Sequence, residues 1–564
     1  MDDELLSQLR KAGNDSERAR LVFASIMQSV PQDALQALHV LSVPHWFDPS
    51  IFTELTRREP VVTEDSFGEL GSRGLVRRSG ETFSVVSEVR TYVLSMLAQS
   101  EVARLRDLSK SFAEFFLRRS PSTFATAAEG IYHALAADPS GGAALLLNAA
   151  STWKGEPLFA YEAVDRLATN AIEQRDRHLL DASSAARITL VELMVPRRRP
   201  PPGEEVKILS NLLETAPTDD AFRLQLRLRL GLAQLNAGEI SDAEENLRAA
   251  RDGYEKQGNE HMLGEALLAL GRAALRQDRY AEAKACFELA AEKFERHQLI
   301  SARAHCTESL ADISFYQGEY PAAERGLTEA LDAFHATGAL IGEANTRIML
   351  GQLLALQGRF ADSSTHIDKA KAIYQPLNQG LGLANSSKAT GVLLREQGKH
   401  REALERLEQA AAQYGDTASG RANCDMLSAS ILIELNEAEE AEKLLRRAAE
   451  TFEEMQDRYS LALTRREMGL LDESRSALGP ALATLAETTR EFEALPNPVE
   501  AAISGVAAGR VAVKLGFPAG FDPRAVAQSA RGAASVFETN GVPRRLKEAQ
   551  ELLGMLASAA STRA

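Results

Sequence analysis

The chain has 564 residues, of which 45% are hydrophobic and 25% are charged, so it is long and apolar enough to build a sizeable core. Its 79 acidic residues exceed its 64 Lys and Arg residues, and the net charge of -15 disfavours a general affinity for nucleic acid. No apolar run approaches the roughly 20 residues that span a bilayer. The acidic start Met1-Asp-Asp-Glu4 also lacks the basic and apolar regions of a signal peptide. We therefore expect a cytoplasmic protein without a membrane partner.

The N-terminal part predicts short helices followed by a hairpin and another helix. The predicted elements are helices at about 17–30, 32–42, 51–55 and 67–74, strands at 75–77 and 83–85 around a Ser79-Gly80 turn, and a helix at 89–97. A tight Gly-containing turn between two apolar strands is typical of a hairpin. Helices followed by such a hairpin are the order of a winged-helix domain.

From about 220 to 460 the chain repeats itself. The same inter-helix turn recurs every 40 residues, with a sixth copy near Asn436, at Gly238, Asp278, Gly318, Gly358 and Gly398. Seven positions before each turn stands a small residue, at Gly231, Gly271, Ala311, Gly351, Gly391 and Ala429. Aromatic residues close each second helix, at Tyr254, Phe294, Phe334, Tyr374, Tyr414 and Phe452. Such a period indicates a solenoid of helix pairs, in which small residues let the two helices approach closely.

This frame resembles the tetratricopeptide repeat, whose signature runs from a small residue through a Gly-aromatic turn to two alanines. Turns such as Gly318-Glu-Tyr320 and Gly358-Arg-Phe360 carry the likeness over about 220–460. The helices are longer than in the standard repeat of about 34 residues. The resemblance implies a superhelix whose concave face binds a protein or peptide.

The N-terminal part resembles the winged-helix module of STAND signalling ATPases, through Leu75-Val-Arg77 and the run Phe83–Tyr92. The segment Ala127–Leu135 resembles the helical region that leads into the repeat sensor of that family. However, no Gly-x4-Gly-Lys-Ser/Thr loop occurs, and Val85-Val-Ser87 stands where the family's Met-His-Asp sensor would fall. The resemblance therefore implies a sensor half that lacks the nucleotide-binding domain.

Beyond about 475 the repeat degenerates. Prolines interrupt Ala-rich helices that we predict at about 481–495, 499–515, 523–540 and 543–559. Terminal repeats must cover the exposed end of a stack, so we interpret this region as a cap. The predicted fold is mainly α, with a winged-helix-like domain at 1–120, a helical linker segment at 121–215, a tetratricopeptide solenoid at 216–475 and degenerate C-terminal repeats at 476–564.

The sequence shows no pattern of a catalytic, metal or cofactor site. The ten histidines include no His-Glu-x-x-His, and no Gly-x-Ser-x-Gly elbow occurs. The cysteines Cys286, Cys306 and Cys424 lie apart within repeat helices, which favours small buried residues in a reducing cytosol. We therefore expect no enzymatic activity, no metal and no cofactor.

One set of polar residues recurs on the face that should be concave. Asn345, Asn385 and Asn423 each precede the small residue of a first helix by six positions. An amide offers both a donor and an acceptor, so three of them could clamp a peptide backbone. Alternatively, Asn merely suits the first turn of a helix or its cap. On the same face we predict Lys388, Arg395, Arg272, Arg276, Phe315 and Tyr316, and the basic side chains would favour an acidic peptide or a C-terminal carboxylate.

These features predict a non-enzymatic scaffold or sensor that binds a partner peptide or protein in the groove of the solenoid, in bacterial-type signalling or regulation. The alternative is a winged-helix transcription regulator with a repeat sensor domain. Against that alternative, the helix before the wing carries few side chains that could reach bases, and the wing offers only Arg77 and Arg78. The partner and the oligomeric state are not fixed by the sequence.

Overall fold

The structure is a computed structural model that describes residues 15–119, 123–153, 159–177, 180–195, 198, 200–215, 220–377, 379–415 and 417–563. The acidic start of the chain, on which the cytoplasmic expectation partly rests, lies outside these residues. Within them the chain forms 28 helices and one two-stranded sheet. It divides into two compact units, one of residues 1–201 and 214–218, the other of residues 202–213 and 219–564. The segments predicted at 1–120 and 121–215 thus fall largely in one unit.

The first unit begins with four helices, a hairpin and two further helices. They are α1 (Asp15–Gln28), α2 (Gln32–Leu41), α3 (Pro49–Arg58), α4 (Glu64–Ser72), β1 (Val76–Ser79), β2 (Thr82–Val85), α5 (Ser87–Ser100) and α6 (Val102–Arg118). The strands are antiparallel, with Val76 opposite Val85. Asp48 caps α3 by accepting from the backbone nitrogen of Ile51 at 2.9 Å. The antiparallel pairing of β1 with β2 shows that the hairpin predicted from the Ser79-Gly80 turn is present.

Four more helices complete the first unit, namely α7 (Phe124–Ala137), α8 (Pro139–Trp153), α9 (Phe159–Asp176) and α10 (Ala182–Met194).

Buried charged side chains connect α7 and α9 to the loop that follows α2. The ring of His45 lies between Glu129 of α7, at 3.0 Å, and Glu173 of α9, at 2.8 Å. Arg90 of α5 donates to Glu173 at 2.6 Å and to the Tyr132 hydroxyl at 2.8 Å. Opposite charges therefore compensate one another at this junction.

The second unit is a succession of helix pairs. Its helices are α11 (Pro202–Thr215), α12 (Asp220–Ala237), α13 (Ile240–Gln257), α14 (Glu260–Leu275), α15 (Tyr280–Arg296), α16 (Ile300–Tyr316), α17 (Tyr320–Thr337), α18 (Leu340–Leu356), α19 (Phe360–Tyr374), α20 (Gly380–Glu396), α21 (His400–Tyr414), α22 (Ala418–Glu434), α23 (Ala438–Glu454), α24 (Arg458–Ser474), α25 (Leu478–Ala494), α26 (Pro498–Lys514), α27 (Pro523–Thr539) and α28 (Pro543–Arg563). The hydrophobic core is distributed along them as a series of clusters between neighbouring pairs. This organisation is that of an α-solenoid.

All six predicted turn positions adopt the left-handed backbone conformation. The φ angles are 86° at Gly238, 57° at Asp278, 69° at Gly318, 76° at Gly358, 77° at Gly398 and 63° at Asn436. Glycine, and less readily Asn or Asp, tolerates this region, which explains the residue types found there. The same conformation recurs at Ser476, with φ 60°, and at Gly516, with φ 72°. Helix pairs therefore continue through the region where the sequence signal fades.

Close helix approach explains the small residue of each first helix. A Cβ atom built on Gly271 would lie 2.4 Å from Cε1 of Phe287, and one on Gly391 would lie 2.8 Å from Cγ of Leu407. A larger residue of the second helix, Phe287 or Leu407, thus occupies the space that a side chain would need. No helix in the described part of the chain is long and apolar enough to cross a membrane.

Candidate functional site

The three asparagines lie at equivalent positions of α18, α20 and α22, but their contacts differ. The side-chain oxygen of Asn385 accepts a hydrogen bond from the hydroxyl of Tyr414. That of Asn345 accepts one from the hydroxyl of Tyr374, at 2.5 Å. Among the residues that the structure describes, neither side-chain nitrogen has a protein partner. These two amides are therefore oriented so that their N–H groups can serve as donors to a ligand.

Asn423 behaves differently because its repeat lacks the tyrosine. Phe452 stands at the position that Tyr374 and Tyr414 occupy in their own repeats, and it has no hydroxyl to donate. The side-chain nitrogen of Asn423 instead donates to the backbone oxygen of Ser419 at 2.9 Å, within the same helix. Since its donor is used locally, this amide differs from the other two members of the predicted set.

Lys388 lies one helical turn beyond Asn385 on α20. Its side chain is half-buried, and it forms no ion pair or hydrogen bond with any residue in the described ranges. Burial lowers the pKa of the Lys388 ammonium, and this effect outweighs the opposing effect of the nearby Cys424 thiol. Burial also raises the pKa of Cys424 to about 11, so this thiol is neutral near neutral pH and does not balance the lysine. Lys388 is therefore a desolvated cation without a compensating charge.

Arg395, which we predicted beside Lys388, already has protein partners. Its guanidinium donates to the Ser430 hydroxyl at 2.6 Å and pairs with Glu434 of α22 at 3.3 Å. Glu434 also pairs with Arg544 of α28 at 2.8 Å. The charge of Arg395 is thus balanced within the chain, whereas that of Lys388 is not.

The remaining predicted residues lie in earlier repeats. Arg276 donates to the backbone oxygen of Leu235. Arg272, one turn before it on α14, is exposed and has no ion pair in the described part of the chain. On α16, the ring of Phe315 stacks on Tyr320 at 5.3 Å and that of Tyr316 meets Tyr459 of α24 at 5.1 Å, measured between ring centroids. The structure therefore places Asn385 and Lys388 together on one helix face and engages both aromatic residues in packing.

Two acidic residues on α16 were missed from the sequence. Glu308 occupies the position of Lys388 two repeats earlier and accepts from the Thr346 hydroxyl at 2.7 Å. Burial, together with the charge of Glu308, raises the pKa of Asp312 well above its usual range. Aligning the repeats so that residues 308, 348 and 388 share one position would have revealed that the side-chain charge there changes from negative at Glu308 to positive at Lys388. The repeat position that holds Lys388 on α20 thus holds a carboxyl group, Glu308, on α16.

Within the described residues, no group of three or more His, Cys, Asp or Glu side chains could hold a metal ion. The polar side chains of this face can donate or accept hydrogen bonds and can pair with charges. The arrangement is suited to recognition of a polar ligand.

Comparisons with known proteins agree with a repeat fold. The family described as Tetratricopeptide repeat matches residues 342–416, which include Asn345, Asn385, Lys388 and Arg395. No curated protein matches the sequence.

Solved structures with some similarity include a Rap protein complexed with competence and sporulation factor, at 16% identity and TM-score 0.38, covering 67% of this chain and 99% of the other. A STAND protein with a tetratricopeptide repeat sensor from Pyrococcus horikoshii has 14% identity and TM-score 0.42, covering 87% and 68%. The Rap conjugation gene regulator of plasmid pLS20, in complex with the Phr* peptide, has 12% identity and TM-score 0.40, covering 64% and 95%.

Proposed function

We propose that this chain is a non-enzymatic interaction scaffold whose solenoid binds a peptide segment of a partner, with a carboxylate of that segment seated at Lys388. The observation that carries the proposal is the half-buried side chain of Lys388, whose ammonium lacks a counter-charge in the described part of the chain. Burying an uncompensated cation is costly, so an incoming carboxylate gains both the ion pair and its hydrogen bonds. An acidic side chain or a free C-terminus would meet this requirement.

In this proposal, Asn345 and Asn385 bind the backbone of the peptide. Tyr374 and Tyr414 occupy the side-chain oxygens of Asn345 and Asn385, which leaves the two N–H2 groups to donate to peptide carbonyls. Backbone recognition of this kind does not depend on the peptide sequence, whereas Lys388 adds a preference for negative charge. Arg272 would add a second cationic contact further along the face, if the segment extends to α14.

For the first unit we propose a winged-helix-like arrangement that contacts protein and not DNA. The helix before the hairpin, α4, begins with Glu64 and Asp65. Arg73, the residue directly after α4, forms an ion pair with Glu69 at 2.7 Å, so its charge is already balanced. Acidic residues at the start of a reading helix repel phosphates, which supports protein recognition over the transcription-regulator alternative. The STAND resemblance is the ground for proposing a role in cytoplasmic signalling.

A peptide library tests the peptide-binding proposal. The immobilised full chain is presented with random peptides that carry either free or amidated C-termini. We expect enrichment of peptides with Asp, Glu or a free carboxylate, loss of this enrichment in Lys388→Gln, and no change in Lys369→Gln. Lys369 is the matched control because it is exposed on α19, a second helix. Equal enrichment by wild type and Lys388→Gln would exclude Lys388 as the carboxylate seat.

A gel-shift experiment with random genomic fragments tests the alternative. Because the chain carries a net charge of -15 and α4 begins with acidic residues, we expect no shift at physiological salt. A sequence-specific shift that Arg77→Ala or Arg78→Ala abolishes would instead support the transcription-regulator function.

A further inference from the structure

The helical period places Asp312 of α16 on the face that carries Asn385 and Lys388, which we call the inner face. On α20, Lys388 follows Asn385 by three residues. The equivalent residues of α16, which stand 80 residues earlier, are His305 and Glu308, and Asp312 follows Glu308 by four residues. Residues three, four and seven positions apart share one side of a helix. A segment that runs from Lys388 across α18 to α16 therefore reaches Asp312.

The carboxyl group of Asp312 has no partner on this face. Its side chain is half-buried, and it forms no hydrogen bond or ion pair with any of the residues whose positions are described. Glu308, one helical turn earlier, is buried but satisfied, because it accepts from the Thr346 hydroxyl at 2.7 Å. Like Lys388, Asp312 is thus a partly desolvated group whose charge the described chain leaves unpaired.

The charges around Asp312 do not supply the missing partner. Burial, together with the negative charge of Glu308, raises the pKa of Asp312 well above its usual range, and the opposing charge of Arg272 does not reverse this. Arg272 stands at the equivalent position of α14, but it is exposed and forms no ion pair with Asp312. A cation placed beside Glu308 and Asp312 would stabilise the ionised form of Asp312 and form a charge-assisted hydrogen bond with it.

We infer that Asp312 determines which segments are bound: the segment whose carboxylate is seated at Lys388 also carries a cation, which pairs with Asp312. The cation is a Lys or Arg side chain or the terminal ammonium of the segment. This inference rests on the proposed function, because it assumes that a peptide segment lies along the inner face. Lys388 alone accepts any acidic segment, whereas the two residues together favour a cation and a carboxylate at a fixed separation.

The repeat sets this separation. Asp312 and Lys388 lie on α16 and α20, two first helices with α18 between them. Because packed helices lie about 8–10 Å apart, the two residues are separated by roughly 20 Å across the face. An extended chain advances about 3.3 Å per residue. The cation should therefore stand about five to seven residues from the carboxylate.

The peptide library that tests the proposed function also tests this inference, when its peptides carry either free or acetylated N-termini. The immobilised full chain should select, besides a carboxylate, a cation about five to seven residues away from it. If the cation is a side chain, acetylation leaves this selection unchanged. If it is the terminal ammonium, acetylation abolishes the selection.

Variants assign the selection to Asp312. Asp312→Asn keeps the shape of the side chain, and we expect the enrichment of cations to fall about tenfold while the enrichment of carboxylates remains. Lys388→Gln should have the reverse effect. Asp332→Asn is the matched control, because Asp332 is exposed on α17, a second helix, and it should change neither enrichment. The enrichment that each variant retains shows that it is folded.

An inversion of charge gives a further test. Asp312→Lys places an ammonium on the inner face, and we expect the preference for a cation at that distance to become a preference for Asp or Glu. Arg272→Gln tests whether the chain itself fills the site. A cation preference that appears only in Arg272→Gln would show that Arg272 already pairs with Asp312, and it would overturn the inference.

The inference and the proposed function fail in different ways. If wild type selects carboxylates through Lys388 but shows no preference for a cation, or if Asp312→Asn keeps that preference, the inference is wrong and the proposed function stands. If wild type selects cations through Asp312 but no carboxylates, the carboxylate seat at Lys388 is wrong and the role of Asp312 stands. Selection of no peptide at all would overturn both.

Discussion

The hydroxyl of Tyr414 donates a hydrogen bond to the side-chain oxygen of Asn385, and Tyr374 forms the same bond with Asn345. Both pairs are 29 residues apart, so each links the first helix of a repeat to the end of its second helix. For the third asparagine, Asn423, the residue at that spacing is Phe452, which has no hydroxyl to form such a bond. The set therefore combines two amides with a structural role and one without it.

This difference predicts unequal effects on stability. Asn385→Ala leaves the Tyr414 hydroxyl without its acceptor, and we expect the free energy of unfolding to fall by about 1 kcal/mol. Asn345→Ala should have the same effect through Tyr374. Asn423→Ala removes only a bond within its own helix, and the free energy should change by less than about 0.5 kcal/mol. Urea denaturation of the three variants measures these values.

Tyr414→Phe provides the control for the pair. If the bond is the cause, the double variant Asn385→Ala/Tyr414→Phe should cost less than the sum of the two single changes. Additive costs would mean that the two side chains contribute independently, and the orientation of the Asn385 amide would then need another explanation.

Close helix approach predicts that two glycines in helix interiors, Gly271 and Gly532, respond to substitution in opposite ways. Gly271→Ala places a Cβ atom 2.4 Å from Phe287, and overpacking should lower the free energy of unfolding by about 1–3 kcal/mol. Gly532→Ala, in the interior of α27, meets nothing within 4 Å and should raise it by about 0.5–1 kcal/mol. Thermal melts of both variants show whether each substitution lowers or raises the stability. A stabilising Gly271→Ala would contradict the packing of α14 on α15.

The repeat was predictable because its causes are local. A left-handed turn favours Gly, Asn or Asp, and a close crossing requires a small residue such as Gly271, so both leave periodic marks in the sequence. The same reasoning predicted the hairpin around Ser79-Gly80. The helices predicted beyond 475 are present, but the turn at Ser476 was not identified, because this residue adopts the left-handed conformation with a residue type that gives little signal.

The contact between Asn497 and Tyr316 and the pairing of Arg395 could not be predicted. Asn497 and Tyr316 are 181 residues apart, and their contact depends on the rotation accumulated over several repeats. Small changes in each crossing angle decide which residues meet. For the same reason, the sequence could place Arg395 on the inner face but could not show that Glu434 neutralises it.

The buried junction of the first unit predicts a pH dependence. Burial alone would lower the pKa of His45, but Glu129 and Glu173 outweigh it and raise that pKa. Charged His45 therefore stabilises the junction fully below its ordinary pKa of about 6.5. This stabilisation is lost as the pH rises through the higher value of the folded state. Nearby, burial lowers the pKa of His133, which acts in the opposite direction, and Arg90 opposes the charge on His45.

A comparison with His45→Gln isolates the His45 contribution, because His133 and Arg90 remain in both proteins. We expect hydrogen-exchange protection of α7 to be lower in His45→Gln than in wild type at about pH 6, and the difference to shrink at about pH 9. A difference that is constant or grows with pH would show that His45 acts there as a neutral hydrogen-bonding group.

The last prediction concerns the stability cost of the proposed carboxylate seat. Lys388 is half-buried without a counter-charge in the described residues, so Lys388→Met should leave the free energy of unfolding unchanged or raise it by about 1 kcal/mol. Lys293 is the matched control, because it pairs with Glu260 at 3.1 Å, and Lys293→Met should lower the free energy by about 0.5–1 kcal/mol. Urea denaturation without added peptide measures both changes. A lysine that served only to stabilise the fold would not lower the free energy of unfolding. A lysine that serves binding can lower it, because the bound ligand supplies the negative charge that the free protein lacks. If Lys388→Met instead costs more than Lys293→Met, Lys388 has a structural partner in solution and is not free to bind a carboxylate.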